Sequence, residues 1–159
     1  IARHRDCGTM PEHSRTTGIE KEDGVKFPGN IIGDTHTVER SIEQEDTAGN
    51  FWTTEVAELL STPSLVAMMM EASANLIDEK LPEGFISVGK SAEVTHEHPT
   101  VIGATVSVKV EIKSFDGYHI RLQMTASDES GIVGRGSHTR SIVNKKWLLI
   151  KLNHRMANL

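Results

Sequence analysis

The sequence predicts an α+β fold in which a long antiparallel sheet wraps around one buried helix. Two observations predict it. One segment is too continuously apolar for a surface helix, and four extended runs follow it, most of them alternating apolar and polar residues and joined by turn signals. A helix that is apolar nearly all round needs cover on most sides, which one curved sheet can supply. The chain of 159 residues is long enough for one such domain.

The N-terminal third is predicted to contain a tail and one strand. Residues 1–30 mix charge, glycine and proline without an apolar period, so we expect a disordered tail there and a single domain over 31–159. From Gly33 to about Glu45 the β-favouring residues Thr35, Thr37 and Val38 indicate a strand.

The central helix is predicted over residues 61–78. Thr62 stands where an N-cap belongs, and Pro63 is at the first helical position, where its missing N–H costs nothing. Between Leu65 and Ile77 the only charged residue is Glu71. The segment Leu-Pro-Glu-Gly at 81–84 ends the helix.

Four extended runs come next. In residues 85–97 the even-numbered positions, which share one face of a regular strand, include Ile86, Val88, Ala92, Val94 and His96. Residues 104–114 alternate valine and isoleucine with polar residues, and an Asp-Gly turn leads to a second such run from 119. The turn at 128–131 leads to the last run, and residues 147–152 either extend it or form a short helix. This order predicts the hotdog arrangement, and because one helix leaves apolar edges uncovered, we expect a homodimer.

Composition narrows the choice of partners. Acidic residues outnumber basic ones by 22 to 17, which argues against nucleic-acid or membrane partners. No segment has the roughly 18 apolar residues of a membrane span. The one cysteine, Cys7, has no intrachain mate, so we expect a reducing, cytoplasmic location and no disulfide or multi-thiolate metal site.

Seven short motifs in order make the sequence resemble the fluoroacetyl-CoA thioesterase-like family of hotdog proteins. They are EDTA (45–48), STP (61–63), SVG (87–89), VTHEHPT (94–100), IG (102–103), DESG (128–131) and GSHTR (136–140). The resemblance implies hydrolysis of an acyl-CoA thioester at a dimer interface by a threonine, a glutamate and a histidine, without a cofactor. No aromatic lid is evident near Val56, so fluoroacetyl-CoA itself is not assigned as the substrate.

By position, the resemblance implies that Thr62 and His96 are catalytic and that Gly89 and Arg140 belong to the substrate site. The family's glutamate, eight positions after the threonine, falls on Met70, with Glu71 one further. Eight helical steps leave two side chains about 80° apart and nine about 180° apart. A regular helix therefore points Glu71 away from Thr62, unless a π-bulge absorbs one residue or Thr62 lies outside the helical phase.

Each candidate residue also has a structural interpretation. His96 is either a general base or a core-edge histidine bonded to a backbone carbonyl. Glu71 is either a buried acid or half of an interface ion pair with Arg140. Capping alone explains Thr62, while the N–H groups of Ser64 and Leu65 behind it could bind an oxyanion. A zinc-type site at His96 and His98, with His138 as third ligand, lacks further ligands at recognisable spacing, so we expect no metal.

The sequence therefore predicts an acyl-CoA thioesterase. His96 orients or deprotonates water, Glu71 or Thr62 assists, the helix start binds the oxyanion, and Arg140 steadies the site or the CoA phosphates. The alternative is a hotdog domain that binds acyl-CoA or a related ligand without turnover, and hydration of an enoyl thioester ranks last. The acyl group, and the choice between CoA and acyl carrier protein, stay open.

Overall fold

The computed structural model of the protein describes residues 24–51 and 55–159. Cys7 and most of the predicted tail lie outside these residues. The described elements, in chain order, are β1 (Thr35–Ser41), α1 (Thr62–Asp78), β2 (Phe85–His96), β3 (Thr105–Phe115), β4 (His119–Asp128), β5 (Gly131–Asn144) and α2 (Lys145–Ala157). Two short 3-10 turns, Gln44–Asp46 and Ala48–Asn50, lie between β1 and α1.

The five strands form one antiparallel sheet in the order β1-β3-β4-β5-β2. Helix α1 contacts β1, β2, β3 and β4 and is therefore the central helix that the sequence predicts. Strands β1 and β2 are the two edges of this sheet. None of the described helices is long and apolar enough to cross a membrane.

Alternation on β3 and β4 builds most of the core, as predicted. The even-numbered residues from 106 to 112 and from 120 to 126 are buried, namely Val106, Val108, Val110, Ile112, Ile120, Leu122, Met124 and Ala126. Helix α1 presents Leu65, Met69 and Ala72 to this surface. Its other side, which includes Ala67, Glu71 and Asn75, is exposed. The expectation that α1 is buried on most sides is therefore not met within one chain.

Strand β2 changes face at a bulge between Gly89 and Ser91. Before the bulge the odd-numbered residues face α1, because the Ser87 hydroxyl donates to Asp78 of the helix and Gly89 lies beside Met70. After it, the even-numbered His96 faces the start of α1. The predicted single parity from Ile86 to His96 is therefore wrong, since one extra residue reverses the alternation.

The described chain begins against the sheet and ends in a second helix. The N–H of Val25 donates to Gly117, and the Phe27 ring meets Phe115 edge-on with centroids 5.0 Å apart, so the end of the predicted tail contacts the β3–β4 hairpin. The segment after β5 forms helix α2, capped by the Asn144 side chain, which accepts from the N–H groups of Lys146 and Trp147. Of the two alternatives for residues 147–152, the helix is the one found.

Candidate active site

Thr62 and His96 are in direct contact. Thr62 is the first residue of α1 and His96 the last residue of β2, and the Thr62 Oγ1 atom lies 2.9 Å from His96 Nδ1. Either atom can supply the proton, depending on the imidazole tautomer. A hydroxyl and an imidazole at this distance form the nucleophile–base arrangement used in acyl transfer.

Gly134 on β5 lets the two elements approach. It pairs with His96, and a Cβ atom built on it would lie 2.8 Å from the Thr95 carbonyl oxygen and 3.0 Å from Leu65 Cδ2. The contact with backbone oxygen is closer than real Cβ atoms come. A glycine is therefore needed here for the end of β2 and the first turn of α1 to come together.

Burial sets the protonation state of His96. Its Nε2 atom is shielded from solvent and has no hydrogen-bond partner among the described residues. Burial lowers the pKa of His96 below its ordinary 6.5, and the backbone of His98 opposes this in part. The imidazole is therefore neutral near pH 7 and can accept a proton.

Two of the motifs anchor the segments that carry the pair. The backbone carbonyl of Asp46, in EDTA, accepts from the N–H of Ser61 at 2.9 Å, while its carboxylate accepts from Arg40. Asp128, in DESG, accepts from the buried Thr100 hydroxyl at 2.9 Å, just beyond the VTHEH segment. These bonds fix the residue before Thr62 and the loop after His96.

The cap of α1 is Ser61, not Thr62 as the sequence suggested. Its side chain accepts from the N–H of Ser64 at 3.1 Å, and its carbonyl accepts from the N–H of Leu65 at 3.0 Å. The two donors predicted for an oxyanion are therefore already used. Pro63 has no N–H, so the first-turn donor left over is that of Thr62, which has no acceptor in the described part of the chain.

An apolar cavity of about 440 Å³ opens beside the pair. Thr62 and His96 both line it, and the other lining residues are Ala48, Phe51, Val56, Leu59, Leu60, Ser61, Pro63, Glu97, His98 and Pro99. Sequence reasoning did not find Phe51 or Leu59. Neither lies in a periodic apolar run, and the bridges Leu59–Val101 and Thr47–Leu60 bring this irregular segment to the site.

Gly89 and Arg140 lie apart from the Thr62–His96 pair, at a second position between α1 and the sheet. They are paired across β2 and β5, and the site of a Gly89 Cβ atom lies 3.4 Å from His138 Nε2 and Met70 Cε and 3.9 Å from Arg140 Nη1. The partners of Gly89 and His96 on β5 are six residues apart, so at about 3.3 Å per residue Gly89 is roughly 20 Å along the sheet from His96. One protomer therefore does not bring Gly89 and Arg140 to the Thr62–His96 pair.

The two buried side chains at this second place differ in their partners. Arg140 donates to the Ser87 hydroxyl and carbonyl, both at 2.9 Å, and burial lowers its pKa while Asp78 opposes the shift. His138 is 1% exposed, and neither of its ring nitrogens has a partner among the described residues. Burial, and secondarily the positive charge of Arg140, lower the pKa of His138 to about 4.

Glu71 points elsewhere. Helix α1 is regular, without a π-bulge, and the Glu71 side chain is 56% exposed, with its Oε2 atom 3.9 Å from Arg40 Nη1. Within one chain, Glu71 is thus neither buried nor paired with Arg140. Met70 occupies the position eight residues after Thr62 and faces Gly89, in agreement with the helical phase expected from the sequence.

The three histidines considered for a metal site are held at separate places. His96 contacts Thr62, His98 Nδ1 lies 2.9 Å from the Ile132 carbonyl oxygen, and His138 lies beside Gly89. The described residues contain no group of three or more histidine, cysteine or acidic side chains that could hold a metal ion. The shared site with His138 as third ligand is therefore not formed in one chain.

Comparison with known proteins places these features in one family. The model of the fluoroacetyl-CoA-specific thioesterase (FlK) family matches residues 42–146. The chain belongs to this family. The matched region includes both members of the Thr62–His96 pair. The fluoroacetyl-CoA thioesterase of Streptantibioticus cattleyicolor is 30% identical over 90 residues, which are 57% of this chain and 65% of that protein. The chain thus spans slightly less than two thirds of that relative.

Known structures confirm the hotdog fold. A hot-dog-like protein from Thermanaerovibrio acidaminovorans is 30% identical, with a TM-score of 0.74 over 81% of this chain and 93% of its own. The fluoroacetyl-CoA thioesterase FlK is 25% identical, with a TM-score of 0.71 over 79% of this chain and 97% of its own. The predicted fold class and family are both confirmed.

Proposed function

We propose that the protein hydrolyses an acyl-CoA thioester. The observation that carries the proposal is the 2.9 Å contact between Thr62 Oγ1 and His96 Nδ1 at the wall of an apolar cavity. Membership of a thioesterase family supports the same reaction. A thioester needs an attacking oxygen, a base and a place for the acyl group, and these three features supply them.

His96 is the base in this proposal. Its neutral imidazole takes the proton of the attacking oxygen, which is either the Thr62 hydroxyl or a water molecule held by it. A C–O bond forms, the C–S bond breaks, and the leaving CoA thiolate takes up the proton that His96 removed. If Thr62 attacks, a water molecule then hydrolyses the acyl-threonine ester with the same base. The two routes differ in whether that ester forms.

The first turn of α1 supports the developing negative charge. The N–H of Thr62 has no acceptor in the described residues, and the N-terminus of a 17-residue helix carries a partial positive charge. We assign this donor, in place of those of Ser64 and Leu65, to the oxyanion.

In this proposal Gly89 and Arg140 belong to a site shared between the two protomers of a homodimer. The outer edge of β2 has no strand partner in the described chain, and the outward side of α1 is exposed. When β2 pairs antiparallel with the same strand of a second copy, the residue numbers of two facing residues add up to the same value along the pairing, so one facing pair defines the register. A register that sets His96 opposite Gly89 of the second copy brings the two halves of the site together.

The second candidate function is binding of acyl-CoA without turnover. It is favoured by the position of Met70, because this apolar side chain, and not a carboxylate, lies against Gly89, and Glu71 faces Arg40. In this case the Thr62–His96 pair positions the ligand and performs no chemistry.

One experiment separates the two candidates. A series of acyl-CoA esters is incubated with the protein, and thiol release is followed with a thiol-reactive dye while binding is measured by calorimetry. Catalytic thiol release that depends on His96 supports hydrolysis. Saturable binding with no thiol release beyond the spontaneous rate supports the binding domain and overturns the proposed function.

A further inference from the structure

The cavity beside Thr62 and His96 is lined mostly by apolar side chains. The apolar members of the lining are Ala48, Phe51, Val56, Leu59, Leu60, Pro63 and Pro99. They come from the second 3-10 turn and the residue after it, the segment before α1, the first turn of α1 and the loop after β2. Apolar walls on several sides of a reactive pair favour a ligand group that gains from leaving water.

The cavity is larger than a two-carbon acyl group requires. Its volume is about 440 Å³. A water molecule takes a share of about 30 Å³ of liquid, so the space corresponds to roughly fifteen water-sized groups. An acetyl group leaves most of it filled with water against apolar walls. A chain of several methylenes displaces that water.

The lining provides no permanently charged cation among the described residues. No lysine or arginine lines the cavity in the described part of the chain, and its one acidic residue, Glu97, is paired with Arg135 at 2.5 Å. The His98 ring is bonded to the Ile132 carbonyl. An acyl group that ends in a carboxylate would lose hydration here without gaining a cation, and it would also meet the carboxylate of Glu97.

We infer that this cavity binds the acyl chain of the substrate and selects uncharged chains of about six or more carbons over acetyl groups and over dicarboxylic acyl groups. The inference rests on the proposed function, because it places the thioester carbonyl at Thr62 and the chain in the cavity. Each methylene that the cavity buries adds about fourfold to kcat/KM until the space is filled.

The test is a kinetic series with acetyl-, butanoyl-, hexanoyl- and succinyl-CoA. Two variants accompany the wild type. Leu59→Trp fills the cavity, and Leu152→Trp makes the same change at an exposed position on α2 that does not line it. Circular dichroism and thermal melting establish that both variants fold.

The wild type is expected to cleave hexanoyl-CoA on the order of 100-fold faster, in kcat/KM, than acetyl-CoA. Succinyl-CoA should be cleaved at least about tenfold more slowly than butanoyl-CoA. Leu59→Trp should lose about tenfold on hexanoyl-CoA and little on acetyl-CoA, and Leu152→Trp should keep the wild-type pattern. A flat series, equal rates for succinyl- and butanoyl-CoA, or equal losses in both variants would overturn the inference while leaving hydrolysis established.

Absence of thiol release from every ester is the distinct failure of the proposed function. The cavity is then tested by calorimetric binding of hexanoyl-CoA and acetyl-CoA to the same three proteins. Tighter binding of hexanoyl-CoA that Leu59→Trp removes and Leu152→Trp retains would support the cavity assignment. Equal affinities would overturn it.

Discussion

The hydroxyl oxygen of Thr62 lies 2.9 Å from Nδ1 of His96, joining the first residue of the central helix to the last residue of an edge strand. The two residues are 34 positions apart in the chain. A register error in β2 or a shifted start of α1 would separate them. Hydrogen bonds to Asp46 and Asp128 hold the segments that carry the two residues. The fold therefore maintains this contact, and we expect its removal to lower activity.

The pH dependence of activity should report His96. Because burial lowers the pKa of this imidazole below 6.5, kcat/KM should rise with pH through a midpoint below 6.5 and be constant from about pH 7 upward. The profile is measured with a thiol assay that works at both ends of the range. His98→Gln should keep the acid limb. A midpoint above 7, or an unchanged limb in His96→Gln, would contradict the assignment of the base.

Loss of the helix cap should cost stability. Ser61→Ala removes the acceptor for the Ser64 N–H, and we expect a loss of about 1 kcal/mol in the free energy of unfolding, measured by urea denaturation. Thr62→Ala should cost clearly less, because its hydroxyl caps nothing. The reverse order would mean that Thr62 is the cap after all.

Acid should destabilise the protein partly through His138. Its pKa is about 4 in the folded chain against 6.5 unfolded, so the unfolded state binds more protons between these values and stability falls as pH drops through this window. Between pH 7 and 4.5 this amounts to about 2 kcal/mol. His138→Gln should remove that part of the pH dependence, whereas His154→Gln on the exposed helix α2 should not. Equal pH dependence in all three proteins would contradict a buried neutral His138.

Subunit complementation tests the shared site. His96→Ala and Gly89→Leu should each inactivate the homodimer. Random mixing of their subunits makes half the dimers heterodimers with one intact site, so activity should return to about a quarter of the wild-type value. Recovery is measured after joint refolding, with each variant refolded alone as control. No recovery, in a mixture shown by mass to contain heterodimers, would mean that the residues act within one chain.

Alternation and motif order allowed most of the fold to be predicted. The valines and isoleucines of β3, the even residues of β4 and the Pro-initiated helix each have one consistent interpretation, because a period of two or 3.6 leaves little choice when one face is buried. Helix α1 is regular, as the phase argument for Glu71 assumed, and the Glu71 side chain is exposed beside Arg40.

Features created by single-residue irregularities were not predictable. The bulge at Gly89 reverses the faces of β2, and nothing local distinguishes it from a continuous strand. Ser61 and Thr62 are both good caps, so the one-residue choice between them is made by the bond from the Ser61 N–H to Asp46. The cavity residues Phe51 and Leu59 come from turns and bridges whose positions are set by tertiary contacts.

The most direct test of the Thr62–His96 assignment is kcat/KM for a hydrolysed acyl-CoA in Thr62→Ala, His96→Ala and the double variant, with Thr95→Ala as the exposed control. If the two side chains act as one unit, each single variant loses at least about 100-fold, the double variant loses hardly more, and Thr95→Ala keeps the wild-type rate. Wild-type rates in either single variant, or losses that multiply in the double variant, would contradict it.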